Sequence, residues 1–261
     1  MTYKILKTIF IAIVLATGVN AHAQNAGKQD RVYMRDIEGI WVNQAYAEAL
    51  KQSKMPHAVA KKTEPVVIAI RREGRSFPMV ITNFDRAAVQ AALDVEPDKK
   101  PGSYRVVMAP DDQPISSEKV KFLWFRGTRN AAGKFDRLEM AEIFFKKGKW
   151  AEYVRVGDTI GPFVNGAVIA GRYTDEQGKT WEFSDAGEAY WPEQTFHYEL
   201  SLNDRRANCE YLEGEDLKAA DGIRRIGFAW KGERLELFDA QLVKKRVRCE
   251  SKPFAVLTRT P

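Results

Sequence analysis

Along most of this chain the apolar residues fall in short runs with every second position apolar, the period of a strand half-buried in a sheet. In Phe196-His197-Tyr198-Glu199-Leu200-Ser201-Leu202 one face carries Phe196, Tyr198, Leu200 and Leu202, and the other His197, Glu199 and Ser201. Further strands are predicted over Val66 to Arg71, Phe77 to Phe84, Tyr104 to Ala109, Val120 to Arg126 and Arg137 to Phe145, each bounded by Gly, Pro, Asn or Asp. Val120, Phe122 and Trp124 share a face by the same rule. Turn chemistry at Asn130-Ala131-Ala132-Gly133, Lys147-Gly148, Asp221-Gly222 and Lys231-Gly232 predicts hairpins. Alternation slips between Met140 and Ile143 and near Leu237 and Phe238, where a bulge or sharp bend is expected.

Helical pattern is confined. Gln44 to Ser53 is rich in Ala, Glu, Leu, Lys and Gln, with Asn43 as cap and Pro56 beyond its end, and Tyr46 and Leu50 lie four apart on one face. Arg86 to Leu93 reads equally as a short helix or a strand. Long helices do not alternate with the strands, which excludes doubly wound folds and helix bundles.

Ile37-Glu38-Gly39-Ile40-Trp41 and Ile169-Ala170-Gly171-Arg172-Tyr173 share the pattern I-x-G-x-aromatic, 132 residues apart. The Gly- and Pro-containing stretch 157–166 between them reads as a linker. The expected organisation is a signal peptide (1–23), a flexible tail (24–35), a first barrel (36–156), the linker, and a smaller second barrel (167–261). Each segment has some seven or eight strand candidates, about the number that closes a small barrel.

Composition adds compartment. The 261 residues are 44% hydrophobic and 29% charged, a globular balance that excludes a disordered chain, a collagen and a disulfide miniprotein. Lys4 and Lys7, the apolar run Ile9 to Val19 and Ala21-His22-Ala23 form the three parts of a secretory signal, so the mature chain is expected to start at Gln24. The apolar run is too short to span a bilayer, which leaves no transmembrane segment in the mature chain. No cysteine adjoins the cleavage site, so a lipoprotein is not expected. Periplasm or secretion follows. In that compartment Cys209 and Cys249 read as one disulfide, with two buried thiols as the alternative. The net charge of +6 says little about partners.

Gly39-Ile40-Trp41 followed by Arg155 in Tyr153-Val154-Arg155-Val156 resembles the bacterial lipocalin-like (calycin superfamily) barrels. These open on Gly-x-Trp and close with a basic residue over the aromatic ring. Gly171-Arg172-Tyr173 with Arg259 repeats the arrangement, with Tyr in place of Trp. The resemblance implies a mainly β fold of two tandem antiparallel up-and-down lipocalin-like barrels, with one short helix after the first strand. It gives Trp41, Arg155, Tyr173 and Arg259 structural roles; a cation over an aromatic face contributes about 0.5 to 2 kcal/mol. It also implies an apolar ligand held inside a barrel.

Catalytic signatures are missing. With His22 in the signal, only His57 and His197 remain; His197 and Glu199 would hold a metal weakly, and a solvated strand face is the simpler reading. There is no nucleophile motif. Asp111-Asp112 reads as an exposed loop between prolines, and Asp175-Glu176-Gln177-Gly178 as a hairpin turn, not a calcium loop. Lys244-Lys245-Arg246-Val247-Arg248 is the densest basic run, readable as a polyanion site or as a solvated, edge-protecting strand. The resulting expectation is a non-enzymatic binding protein, without metal or cofactor and without nucleic acid, for a hydrophobic or amphipathic small molecule. The pocket expected from strand parity is lined by Ile68, Met79, Tyr104, Val106, Phe122, Trp124 and Met140 in the first barrel, with the 44–53 helix over its mouth. An envelope protein partner, met by filled barrels acting as an inhibitor or assembly factor, is the alternative; an uncharacterised envelope enzyme is the third.

Overall fold

The computed structural model describes residues 31–260, apart from 61–65, 75–76, 83, 85–86, 101, 111–120, 128, 142–149, 203, 205 and 216–221. The expected signal peptide, Asp111-Asp112, the Lys147-Gly148 turn, Asp221 and the slip after Met140 therefore lie outside the described residues.

Eight strands pair antiparallel in chain order: β1 (Gly39–Asn43), β2 (Val67–Ile70), β3 (Phe77–Thr82), β4 (Ala87–Pro97), β5 (Ser103–Pro110), β6 (Lys121–Arg126), β7 (Arg137–Ala141) and β8 (Trp150–Gly157). Strand β8 returns to β1, closing a barrel. Nine more follow: β9 (Gly171–Asp175), β10 (Thr180–Phe183), β11 (Glu188–Trp191), β12 (Gln194–Leu200), β13 (Glu210–Glu215), β14 (Ile223–Lys231), β15 (Arg234–Val243), β16 (Arg246–Cys249) and β17 (Ala255–Arg259). They form one curled sheet in the order β14-β13-β12-β11-β10-β9-β17-β15-β16. Because β14 pairs with β15 as well as β13, this sheet also turns back on itself, with β16 an outer flap. The fold is mainly β with two antiparallel sheets, as the alternation predicts.

The two strand openings share more than a pattern. Trp41 Nε1 donates to the Ile37 carbonyl at 2.8 Å, and Tyr173 Oη to the Ile169 carbonyl at 2.6 Å, each reaching four residues back. Trp41 stands opposite Arg155 on β8, and Tyr173 opposite Arg259 on β17. In both modules the guanidinium lies against the glycine two residues before the aromatic. An alanine methyl would come within 2.6 Å of Arg155 Nε at Gly39 and 3.1 Å of Arg259 Nε at Gly171.

The helix α1 (Gln44–Ser53) forms where predicted, and the Asn43 side chain accepts the amides of Ala45 and Tyr46 at 3.0 and 3.3 Å. It does not cover the first barrel's mouth. Trp41 turns into the barrel, so Ile40 and Val42 face outward, and Tyr46, Ala47 and Leu50 share one apolar cluster with them and with Tyr173, Phe228 and Leu257 of the second sheet. The helix thus packs between the first barrel's outer wall and the second module.

Two further helices accompany it, where one was expected: α2 (Pro56–Ala60) and α3 (Gly161–Val168). The latter occupies most of the expected linker. Val164 and Val168 on α3 are buried in the shared cluster, so this segment is a packed plug. The expected flexible tail is likewise packed at its end: Val32 and Met34 join the first barrel's core, with a 3-10 turn at Met34–Asp36. Residues 87–97 form β4, not a helix. Register shifts occur at Ile40/Trp41 and Ala92/Asp94, whereas β15 pairs with β14 without a shift through Leu237 and Phe238. The irregularity there belongs to its other edge, where pairing with β17 stops at Leu237–Ala255 and pairing with β16 starts at Ala240–Cys249.

Cys209 and Cys249 form a disulfide, with Cα atoms 6.2 Å apart, tying β16 to the start of β13. No helix of the described residues is long and apolar enough to cross a membrane.

Candidate functional site

Of the residues expected to line a pocket, Ile68, Met79, Tyr104, Val106 and Met140 do turn into the first barrel, and none is more than 6% exposed. They pack in one cluster with Leu123, Phe125, Phe135 and Tyr153, where Tyr104 stacks on Phe125 at 5.4 Å and Phe135 meets Phe125 edge-on at 6.2 Å. Such side chains, contributing about 1.5 to 3 kcal/mol each on burial, read as core. Trp124 corrects the parity reading. Leu123 and Phe125 enter the core opposite Val106 and Tyr104, so Trp124 lies half-buried on the outer face opposite Arg105. Apolar residues fill four successive positions from Phe122 to Phe125, leaving alternation nothing to choose by. The Phe122 side chain lies outside the described residues.

The second module offers a cleft. Its lower end is stopped by the helices: Asn165 on α3 donates to the Asp185 carbonyl at 2.9 Å, and Trp230 Nε1 to the Val168 carbonyl at 3.1 Å. Lys54, at the end of α1, sets its ammonium 3.3 Å from the Trp230 ring centre. At the opposite end the β9–β10 and β11–β12 turns and the segment before β17 surround a cleft of about 660 Å³. That volume is in the ordinary range for a small-molecule site, about 300 to 1,000 Å³.

Aromatic rings wall it. Trp191 centres the group, with Trp181 at 4.7 Å and Phe254 at 5.9 Å on the cleft side, and Phe196 at 5.0 Å and Phe183 at 6.2 Å beneath. Phe254 is 40% exposed and Trp191 9%. The Trp191 indole N–H is buried with no hydrogen-bond partner among the described residues. Arg224 reaches over the Trp191 ring at 5.2 Å. Lys179, Gln177 and Gln194 add donors to the rim, and Asp175, Glu176 and Glu193 add acceptors.

Asp175 is the best-fixed polar group. Trp181 Nε1 donates to its Oδ2 at 3.0 Å, and the amides of Gln177 and Lys179 donate to its Oδ1, each at 2.9 Å. These bonds, the Trp181 indole foremost, hold its carboxyl below the usual range, so it is an anion at neutral pH. The Asp175–Gly178 segment is the hairpin turn the sequence predicts, and it also forms part of the wall. The cleft combines flat apolar faces, a guanidinium and a fixed carboxylate, which is binding chemistry for a ring-bearing amphipathic molecule.

A polar group of another kind is buried where the modules meet. His57 Nδ1 lies 3.3 Å from Glu210 Oε2, and the same oxygen accepts the His57 backbone N–H at 3.4 Å. The nearby Tyr46 hydroxyl is buried without a hydrogen-bond partner among the described residues. Burial first, then the Glu210 charge, pushes its ionisation well above tyrosine's ordinary value. Tyr46→Phe is expected to raise stability by about 1 kcal/mol, because it removes a buried, unsatisfied donor. Denaturant titration checks this, and a lowered midpoint would show that the hydroxyl is satisfied. His197 and Glu199 are exposed on the outer face of β12. Among the described residues, no three His, Cys, Asp or Glu side chains gather to hold a metal.

No family model, curated protein or solved structure matches this chain significantly. The strand order and closure are compatible with a calycin-like fold. Trp181, Trp191, Arg224 and Phe254 line one cleft from four separate stretches of chain, so no local pattern in the sequence joins them. The one available signal was the density of aromatics between Trp181 and Phe196.

Proposed function

We propose that this is an exported, lipocalin-like binding protein, and that its ligand site is the aromatic cleft at the open end of the second module. The ligand class is an amphipathic small molecule with a flat ring face and an acidic or hydrogen-bond-accepting group. The ring would lie against Trp181, Trp191 and Phe254, and the acceptor would meet Arg224. The observation that carries the reading is the Trp181–Trp191–Phe254 wall with Arg224 beside it. The signal-like N-terminus and the Cys209–Cys249 disulfide support an extracytoplasmic setting.

Titration with anilinonaphthalene sulfonate, a flat dye with one anionic group, tests the site. The wild-type protein is expected to bind it saturably at one site. Trp181→Ala and Arg224→Ala should each weaken binding about ten-fold, the loss of one aromatic wall or one charged hydrogen bond. Wild-type affinity in both variants, with near-ultraviolet circular dichroism unchanged, would place the dye elsewhere and remove the support.

A further inference from the structure

We propose that the β15–β16 hairpin is a membrane-surface anchor that docks the open end of the second module on anionic lipid headgroups. This does not depend on what occupies the cleft.

The hairpin separates from its neighbours in the sheet: β14 runs on to Ile223 beside β13, and Val247 on β16 keeps one face of the hairpin packed. Pairing of β15 with β17 stops at Leu237–Ala255 and with β14 at Ala240, yet β15 continues to Val243, where among the described residues only β16 pairs with it. Phe254 and Ala255, which line the cleft, lie at the point where it departs. Its base is pinned by the disulfide and by the Cys249 amide, which donates to Asn208 Oδ1 at 2.9 Å. At the tip Val243 pairs with Arg246, leaving Lys244 and Lys245 as a two-residue turn.

Both turn residues are left-handed, with φ of 50° and 61°. Two-residue hairpin turns of this shape are normally made by Asn-Gly or Asp-Gly, since a side chain with a Cβ is strained there. This chain accepts the strain and keeps two ammonium groups at the apex. Strain held in a specific place is a pointer to function.

Exposure points the same way. Lys244, Lys245, Arg246 and Arg248 are all exposed, and none makes an ion pair among the described residues; the hairpin's own carboxylates, Asp239 and Glu250, lie at its base. Beside these cations Leu242 is 52% exposed and Val243 47%. Protection of the sheet edge would explain the basic residues of β16. It would not explain two exposed aliphatic side chains beside the turn of the hairpin. Cations flanking exposed apolar side chains match a surface with anionic headgroups over an apolar interior. A soluble polyanion would use the charges and leave Leu242 and Val243 in water.

Co-sedimentation of the purified full chain with vesicles tests this, using phosphatidylcholine alone and phosphatidylcholine mixed with phosphatidylglycerol. Binding is expected to be stronger to the anionic vesicles and to fall with added salt. Lys244→Asn/Lys245→Gly should weaken the anionic binding about 25-fold, roughly five-fold per charge removed. The same variant should melt about 2 to 4 °C higher, since it relieves the turn, which separates loss of docking from loss of fold. Leu242→Ser/Val243→Thr should weaken binding about ten-fold by removing the apolar contact. Undiminished binding of the lysine variant, or equal binding to both vesicle types, overturns the proposal. Binding that falls with the lysine variant but not with the Leu242/Val243 variant also overturns it, and assigns the hairpin to a soluble polyanion.

Discussion

Gly39→Ala is expected to destabilise the protein by about 2 to 4 kcal/mol, a fall of about 1 M in the urea midpoint. Gly39 has φ of +135°, a conformation that alanine adopts only under strain, and its α-carbon lies against the Arg155 guanidinium. An added methyl would displace that guanidinium from the β1–β8 closure. Arg155 is long enough to give way, so the backbone term dominates. Gly39→Ala/Arg155→Ala should therefore remain destabilised by at least as much as Arg155→Ala alone plus the backbone strain. Gly171→Ala, at φ +153° with Arg259 0.5 Å further off, is expected to cost less. If Gly39→Ala melts like wild type, the positive φ at Gly39 places no demand for glycine there.

Trp191→Ala is expected to cost about 3 to 5 kcal/mol of stability, the usual range for removing a buried tryptophan from a core. Trp191 is the ring that joins the cleft wall to the aromatic layer beneath, touching Trp181, Phe183, Phe196 and Phe254. Its loss should collapse the cleft and abolish dye binding together. Trp191→Phe keeps most of the packing and removes an indole N–H that has no partner, so it should stay within about 1 kcal/mol of wild type. A stable Trp191→Ala variant with intact dye binding would show that the cleft is built by other groups.

Much of the fold was legible because it is written locally. The alternation in 196–202 puts Tyr198 and Leu200 in the core, and Asn43 caps the helix it was expected to cap. The repeated I-x-G-x-aromatic opening was legible too, and its two halves make the same backward hydrogen bond. What failed was long-range. The 44–53 helix has an apolar face, but nothing in its own residues says that the face packs beneath the second module and not over the first barrel. The four consecutive apolar positions from Phe122 to Phe125 hide their parity, which sent Trp124 to the wrong face. Stretch 157–166 looked like a linker by its Gly and Pro, whereas Val164 and Val168 bury one side of a helix. The cleft was invisible for the same reason. Its wall is assembled from strand ends brought together only by the curl of the sheet, and Glu210 meets His57 across 153 residues of chain.

The open end of the second module is proposed to hold a small amphipathic molecule. Native mass spectrometry of the protein purified from its own cells tests it most directly, comparing the intact mass with that of the unfolded polypeptide. A single small adduct, released on unfolding and missing from Trp181→Ala and Arg224→Ala, is the predicted result. A bare polypeptide mass in the wild type, or an adduct retained by both variants, would contradict it.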